Sequence, residues 1–136
     1  ERLVIAWQAM GMIESALEAT VEHCKTRKMF GGTLFDQQNT KFKLAECKTR
    51  ATVAKAFLYN CTEALLAGKL DASTASMAKL FVTEAQAFVI DECLQLFGGY
   101  GYMTEYPIAE MYKDARAFRI YGGASEVMKL LIARSI

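Results

Sequence analysis

Apolar residues return every three or four positions along most of this chain, and that period predicts helices. In the first run, from about Glu1 to Lys28, Leu3, Trp7, Met10, Leu17, Val21 and Cys24 form an apolar stripe. Glu14 interrupts the stripe, whereas Glu18, Glu22 and Lys25 fit a solvated face. Gly11 stands mid-helix, where glycine costs about 1 kcal/mol relative to alanine, and it is expected to admit a close crossing of another backbone. Glycines Gly31 and Gly32 end this run, and Asp36 is the expected N-cap of the next.

The second helix is expected to reach about Ala67, with Gly68 ending it. Along it Leu44, Cys47, Ala51, Ala54, Leu58, Cys61 and Leu65 alternate steps of three and four, the pattern of a bundle seam whose small members allow close packing. Asp71 or Ser73 caps a third helix that runs to about Phe97. Met77, Leu80, Phe81, Val82, Phe88, Val89 and Leu96 make it apolar on more than one side, which places it at the centre of a bundle or at a subunit interface. A glycine-rich loop, Gln95 to Tyr102, follows. Pro107 fits the first turn of a short fourth helix that ends near Arg116 to Arg119. After Tyr121-Gly122-Gly123 a last, longer helix begins at about Ser125, with Val127, Leu130, Leu131 and Arg134 at helical spacing. The short connections favour antiparallel neighbours, so the expected fold is all-α, an up-and-down four-helix bundle built from the first, second, third and last helices.

Composition adds limits. A chain of 136 residues is one domain, large enough to bury a core without staples. Hydrophobic residues make up 53%, which leaves apolar surface for a second domain or subunit to cover. A net charge of +1 gives no case for nucleic acid. No run of 18 apolar residues exists, so no membrane span is expected. The chain opens abruptly in helical sequence and reads as a piece of something longer. Cys24, Cys47, Cys61 and Cys93 are scattered, and the one histidine, His23, precedes Cys24, whereas adjacent helical residues diverge. No metal site is expected; the cysteines read as buried free thiols in a reducing compartment.

Two loops carry candidate chemistry. The turn at Tyr121-Gly122-Gly123 lets the backbone take positive φ or pass close to a ligand, and the helix after it offers free N–H groups to an anion or carbonyl. A plain inter-helix turn explains the same residues. Gln95 to Tyr102 follows a helix rather than a strand and lacks the G-x-G-x-x-G spacing, so it is not a dinucleotide fingerprint. Its interleaved glycine and tyrosine form either a flat surface for a planar ligand or a helix cap followed by a turn.

Five motifs, in register, resemble the C-terminal helical domain of acyl-CoA dehydrogenases over essentially the whole chain. They are Arg27-Lys28-Met29-Phe30-Gly31; Gln38 in the next helix; Gln95 to Tyr102 with Glu105-Tyr106-Pro107; Asp114-Ala115-Arg116; and Ile120-Tyr121. The resemblance implies FAD-dependent conversion of an acyl-CoA to a trans-2-enoyl-CoA, a carboxylate taking the α proton while the flavin accepts hydride from the β carbon. It implies FAD contacts for Arg27, Phe30 and Gln38, for Gln95, Leu96, Phe97, Gly98 and Gly99 across to a neighbouring subunit, and for Ala124, Ser125 and Glu126. It places Tyr121, Gly122 and Gly123 at the thioester, with Arg2 and Arg134 on the substrate side. A homotetramer or homodimer and an electron-transferring flavoprotein are the implied partners. An intracellular setting follows, the mitochondrial matrix in a eukaryote or the cytoplasm in a bacterium.

One departure bears on mechanism. Many members of that family carry the catalytic glutamate directly after Ile-Tyr, and here the position is Gly122. Either the chain comes from an inactive relative, kept for assembly or partner binding, or the base is supplied elsewhere. Long-chain and isovaleryl-type members carry it in a Glu-Arg-Leu segment, and this chain begins Glu1-Arg2-Leu3. Glu1 is therefore the expected base. Ala124 stands where the family usually has threonine. The family's other domains hold most flavin-ring contacts, so the chain by itself is expected to bind FAD weakly and to lack dehydrogenase activity.

Overall fold

The computed structural model describes residues 1–136. Five helices carry the fold: α1 Arg2–Thr26, α2 Gln38–Leu66, α3 Ala72–Phe97, α4 Pro107–Phe118 and α5 Ser125–Ala133. The architecture is all-α, as expected. α3 is the hub and packs against each of the other four helices. Buried Val82, Val89 and Leu96 follow from that place, whereas Met77 and Phe81 remain exposed.

The fourth side of the bundle is closed by α4, which packs on both α1 and α3, whereas α5 packs on α3. This corrects the expected membership. Ile108, Met111, Ala115 and Phe118 step by three, four and three, and the first and third are buried. The expected last, longer helix is instead the shortest of the five: α5 has nine residues against twelve in α4, and its Val127 and Leu130 face outward while Met128 is buried.

On α1 the buried line is Leu3, Ala6, Met10, Ile13, Thr20 and Cys24, with Ala9 and Ala16 beside it. Trp7, Leu17 and Val21, expected in the stripe, are half-buried. Small residues seat α1 closely on α3, and the bulky ones move to the rim, where the Trp7 indole N–H donates to the Thr62 hydroxyl at 3.0 Å. Glu14 leaves the stripe to pair with Lys55 at 2.5 Å. Gly11 is exposed, with nothing within 4 Å of an added Cβ, so no backbone crosses there. Along α2 the seam holds from Leu44 to Cys61, but Leu65 is 53% exposed.

The segment between α1 and α2 is not a simple turn. Strands β1 (Lys28–Met29) and β2 (Gly32–Thr33) pair antiparallel, Lys28 with Thr33 and Met29 with Gly32. Phe30 and Gly31 at the tip have φ of 48° and 78°, the two positive values that a tight primed hairpin turn needs. Asp36 does not cap α2. Its carboxylate accepts from the Thr33 N–H at 2.7 Å and the Thr33 hydroxyl at 3.0 Å, closing a short 3₁₀ turn at Leu34–Asp36, and Gln37 precedes α2 without a side-chain cap. Asp71 does cap α3, accepting from the Thr74 N–H at 2.8 Å. The four cysteines are free and buried, as expected.

Candidate functional site

The helix starts and turns at one end of the bundle enclose an open cavity of about 650 Å³. Glu1, Arg2, Gly122 and Gly123 line it, together with Leu65, Leu70 and Met128. Glu1 and Gly122 are far apart in sequence and share this cavity. Leu65, absent from the core seam, is one of its walls.

Glu1 is the N-cap residue of α1, and its carbonyl accepts the Ile5 N–H at 3.2 Å. Its carboxylate caps nothing and is free. Ile5 lies one turn further on the same face and is buried. Gly122 and Gly123 have φ of 64° and 95°, the left-handed region that favours glycine. A Cβ on Gly123 would stand 2.5 Å from Met128 Cε. Tyr121 packs edge-on against Phe118, with ring centroids 5.2 Å apart, and Arg134 is exposed at the end of α5. The side chains of these two do not line the cavity.

The turn is held from beneath by a residue that sequence reasoning missed. Lys79 of α3 is fully buried. Its ammonium donates to the carbonyls of Phe118 at 2.8 Å, Tyr121 at 3.1 Å and Gly123 at 2.6 Å, which uses all three of its donors. Burial moves Lys79 below the ordinary lysine range, and the nearby Glu84 carboxylate acts in the opposite direction. Glu84 accepts from Arg119 Nε at 2.9 Å and from the Ser125 hydroxyl at 3.1 Å. The available signal was a lone lysine between Ala78 and Leu80, in phase with buried Ser76, Val82 and Thr83. Ser125 is buried by its bond to Glu84, Glu126 is exposed beside it, and Ala124 is half-buried as the N-cap residue of α5.

A second cavity, of about 590 Å³, lies at the other junction. Arg27, Gln95, Leu96, Phe97, Gly98 and Gly99 line it, so the tertiary fold unites six of the expected cofactor residues. The Arg27 guanidinium sits 5.2 Å from the centre of the Tyr100 ring, and His23 stacks on Phe97 at 4.2 Å. Burial and then the Arg27 charge hold His23 below the ordinary histidine range. The Arg27 guanidinium beside the exposed backbone of Gly98 and Gly99 is a donor set that fits the phosphates of a nucleotide. Phe30 and Gln38 lie outside this cavity. Phe30 is 87% exposed at the hairpin tip, and Gln38 is exposed in the first turn of α2.

No group of three or more His, Cys, Asp or Glu is placed to hold a metal ion. No helix is long and apolar enough to cross a membrane.

The family model described as "Acyl-CoA dehydrogenase, C-terminal domain" matches residues 1–136. A mitochondrial long-chain specific acyl-CoA dehydrogenase of Mus musculus is 48% identical over 136 residues, 100% of this chain and 32% of the relative. A 3-(aryl)acrylate reductase of Clostridium sporogenes is 36% identical over 135 residues, 99% of this chain and 36% of the relative. The crystal structure of an acyl-CoA dehydrogenase from Geobacillus kaustophilus superposes with a TM-score of 0.97 at 40% identity, covering 99% of this chain and 36% of that one. The chain thus spans about a third of the length of the curated relatives it matches.

Proposed function

This chain belongs to the acyl-CoA dehydrogenase family, and on that premise we propose that it forms the C-terminal helical domain of a longer flavoenzyme. That enzyme removes two hydrogens from a saturated acyl-CoA thioester and leaves a trans-2-enoyl-CoA. The observation that carries this reading is the shared cavity: Glu1 and the Gly122-Gly123 turn line the same space. A free carboxylate thus stands beside the position where many relatives carry their base. The same juxtaposition weighs against an inactive bundle kept for assembly.

In this reading Glu1 takes the α proton. A carboxylate in that role needs a dry site and a raised pKa, and the substrate and the rest of the longer protein supply the dryness around Glu1. Tyr121 to Gly123 border the thioester, and Arg2 and Arg134 face the CoA portion. FAD, when bound, supplies the two-electron acceptor for the β hydrogen. Arg27 holds its pyrophosphate and Gln95 to Gly99 meet its adenine end, which the composition of their common cavity supports. Gln95 to Gly99 do so by reaching across to the neighbouring subunit's FAD, Phe30 and Gln38 also touch the cofactor, and Ala124 to Glu126 meet FAD at the start of α5. The exposure of Phe30 in a left-handed backbone supports a contact outside the chain. Exposed Phe42, Tyr59 and Leu66 on α2 support burial in a homodimer or homotetramer. An electron-transferring flavoprotein reoxidises the flavin. The setting is the mitochondrial matrix in a eukaryote or the cytoplasm in a bacterium. The isolated chain binds FAD weakly and is inactive.

Anaerobic flavin bleaching of the full-length protein tests this, with acyl-CoAs of several lengths. Wild type is expected to bleach, and Glu1→Gln to bleach about 10²–10⁴-fold more slowly. An unchanged rate in Glu1→Gln would remove Glu1 as the base. No bleaching of wild type with any thioester would favour the inactive relative.

A further inference from the structure

We propose that Lys79 is the positioning residue of the Tyr121–Gly123 turn: its ammonium gathers three backbone carbonyls and so fixes the peptide groups that border the substrate cavity. The inference rests on the reading that this cavity receives the thioester. Its physical basis is the convergence of the Phe118, Tyr121 and Gly123 carbonyls on one nitrogen. Three carbonyl dipoles with their negative ends together repel one another unless a cation lies between them. The ammonium therefore stabilises this turn, beside the Ser125 N–H bond to the Arg119 carbonyl at 3.1 Å that closes the span. Phe118 is the last residue of α4, so the same charge also meets the negative end of that helix.

The grip has a directional consequence. A trans peptide carries its C=O and N–H on opposite sides. Seating the Tyr121 carbonyl on Lys79 turns the Gly122 N–H away from α3, and seating the Gly123 carbonyl does the same for Ala124. Gly122 and Gly123, whose positive φ allows this path, sit between and within the gripped residues. Glu84, five residues along α3, ties both ends of the segment, through Arg119 and Ser125. One rigid helix, through two side chains, thus sets the orientation of the whole span from Phe118 to Ser125. A placement error of about 1 Å at such a site costs about 10²-fold in rate.

The test uses the full-length flavoprotein and Lys79→Met, which keeps much of the side chain's length and removes the charge. Flavin content, kcat, KM and amide hydrogen exchange across Ile120 to Ser125 are measured for both proteins. Expected for the variant are exchange faster by about tenfold or more, and kcat lower by about 10- to 100-fold with KM little changed. Wild-type exchange and wild-type kcat in a folded, flavin-loaded variant would overturn the proposal, because a merely structural lysine lowers thermal stability alone. If Lys79→Met does not fold, Lys79→Gln, which keeps a polar head but removes the charge and the three-way grip, carries the same test. Faster exchange at Gly122 to Ser125 is expected there, and unchanged exchange overturns the inference. The exchange readout needs no substrate, so it judges Lys79 even if wild type turns over no thioester and the functional reading fails.

Discussion

Ile5 and Gly122 share one volume: Ile5 Cδ1 lies 2.1 Å from the point where a Cβ on Gly122 would stand. The first helix fills the space that a side chain at position 122 would need. One turn before Ile5, the same helix carries Glu1 to the cavity that Gly122 lines. The bare position and the Glu1 carboxylate therefore border one cavity.

Gly122→Ala is expected to destabilise the chain by two separable effects. An alanine in the left-handed region costs about 1–2 kcal/mol. Pushing Ile5 off its rotamer adds about 0.5–1.5 kcal/mol. Ile5→Val deletes the colliding methyl and should recover the second part alone. Urea titrations of the two single variants and the double variant measure this; a coupling energy near zero would mean that Ile5 turns aside freely.

Stability should fall in acid through Asp71. Its carboxylate accepts the Thr74 hydroxyl at 2.6 Å and the Thr74 N–H at 2.8 Å, and these bonds hold it below its ordinary value of 3.8. The folded carboxyl is thus more acidic than the unfolded one. The stabilisation is complete above the unfolded value and is lost as pH falls through the folded one. Asp36 shifts the same way through Thr33. Asp71→Ala should lower Tm by about 3–5 °C at neutral pH, with the gap closing in acid. Melting curves from about pH 7 to about pH 2.5 check it, and a gap that stays constant would refute the bond's role.

The thiols should be inert in the folded chain. Burial, and then the neighbouring Cys93, push Cys24 up to about 11. The neighbouring Cys93 thiol and then burial push Cys47 up, and both cysteines are wholly buried. Thiolate is the reactive form, so Ellman's reagent near pH 8 should find no thiol in the native protein and all four cysteines of this chain in guanidinium. A native thiol that reacts within minutes would contradict the packing of α1, α2 and α3.

Much of the fold was legible because helices announce themselves locally. The α2 seam from Leu44 to Cys61 is a direct reading of side-chain period, and Asp71 caps α3 through its own neighbour Thr74. The misreadings share a cause. Counting bulky residues put Trp7, Leu17 and Val21 in the α1 core, whereas close helix contact is made by Ala6, Ala9 and Ala16. Asp36 has the residue type of a cap, yet Thr33 takes both of its bonds. The period of α4 was as plain as that of α5, but neither shows which helix reaches α1.

The sequence by itself determined the helical class, the three long helices α1, α2 and α3 and the motifs that mark the family. Each depends on residues within a few positions of one another, where spacing and backbone hydrogen bonding suffice. Only the tertiary structure decided that Glu1 and Gly122 line one cavity and that Arg27 meets Gln95 to Gly99 in another. It alone turned Lys79, a charge in an apolar run, into the anchor of a turn about forty residues away. Such relations depend on how helices cross, which the packing of the whole core sets and no local pattern encodes.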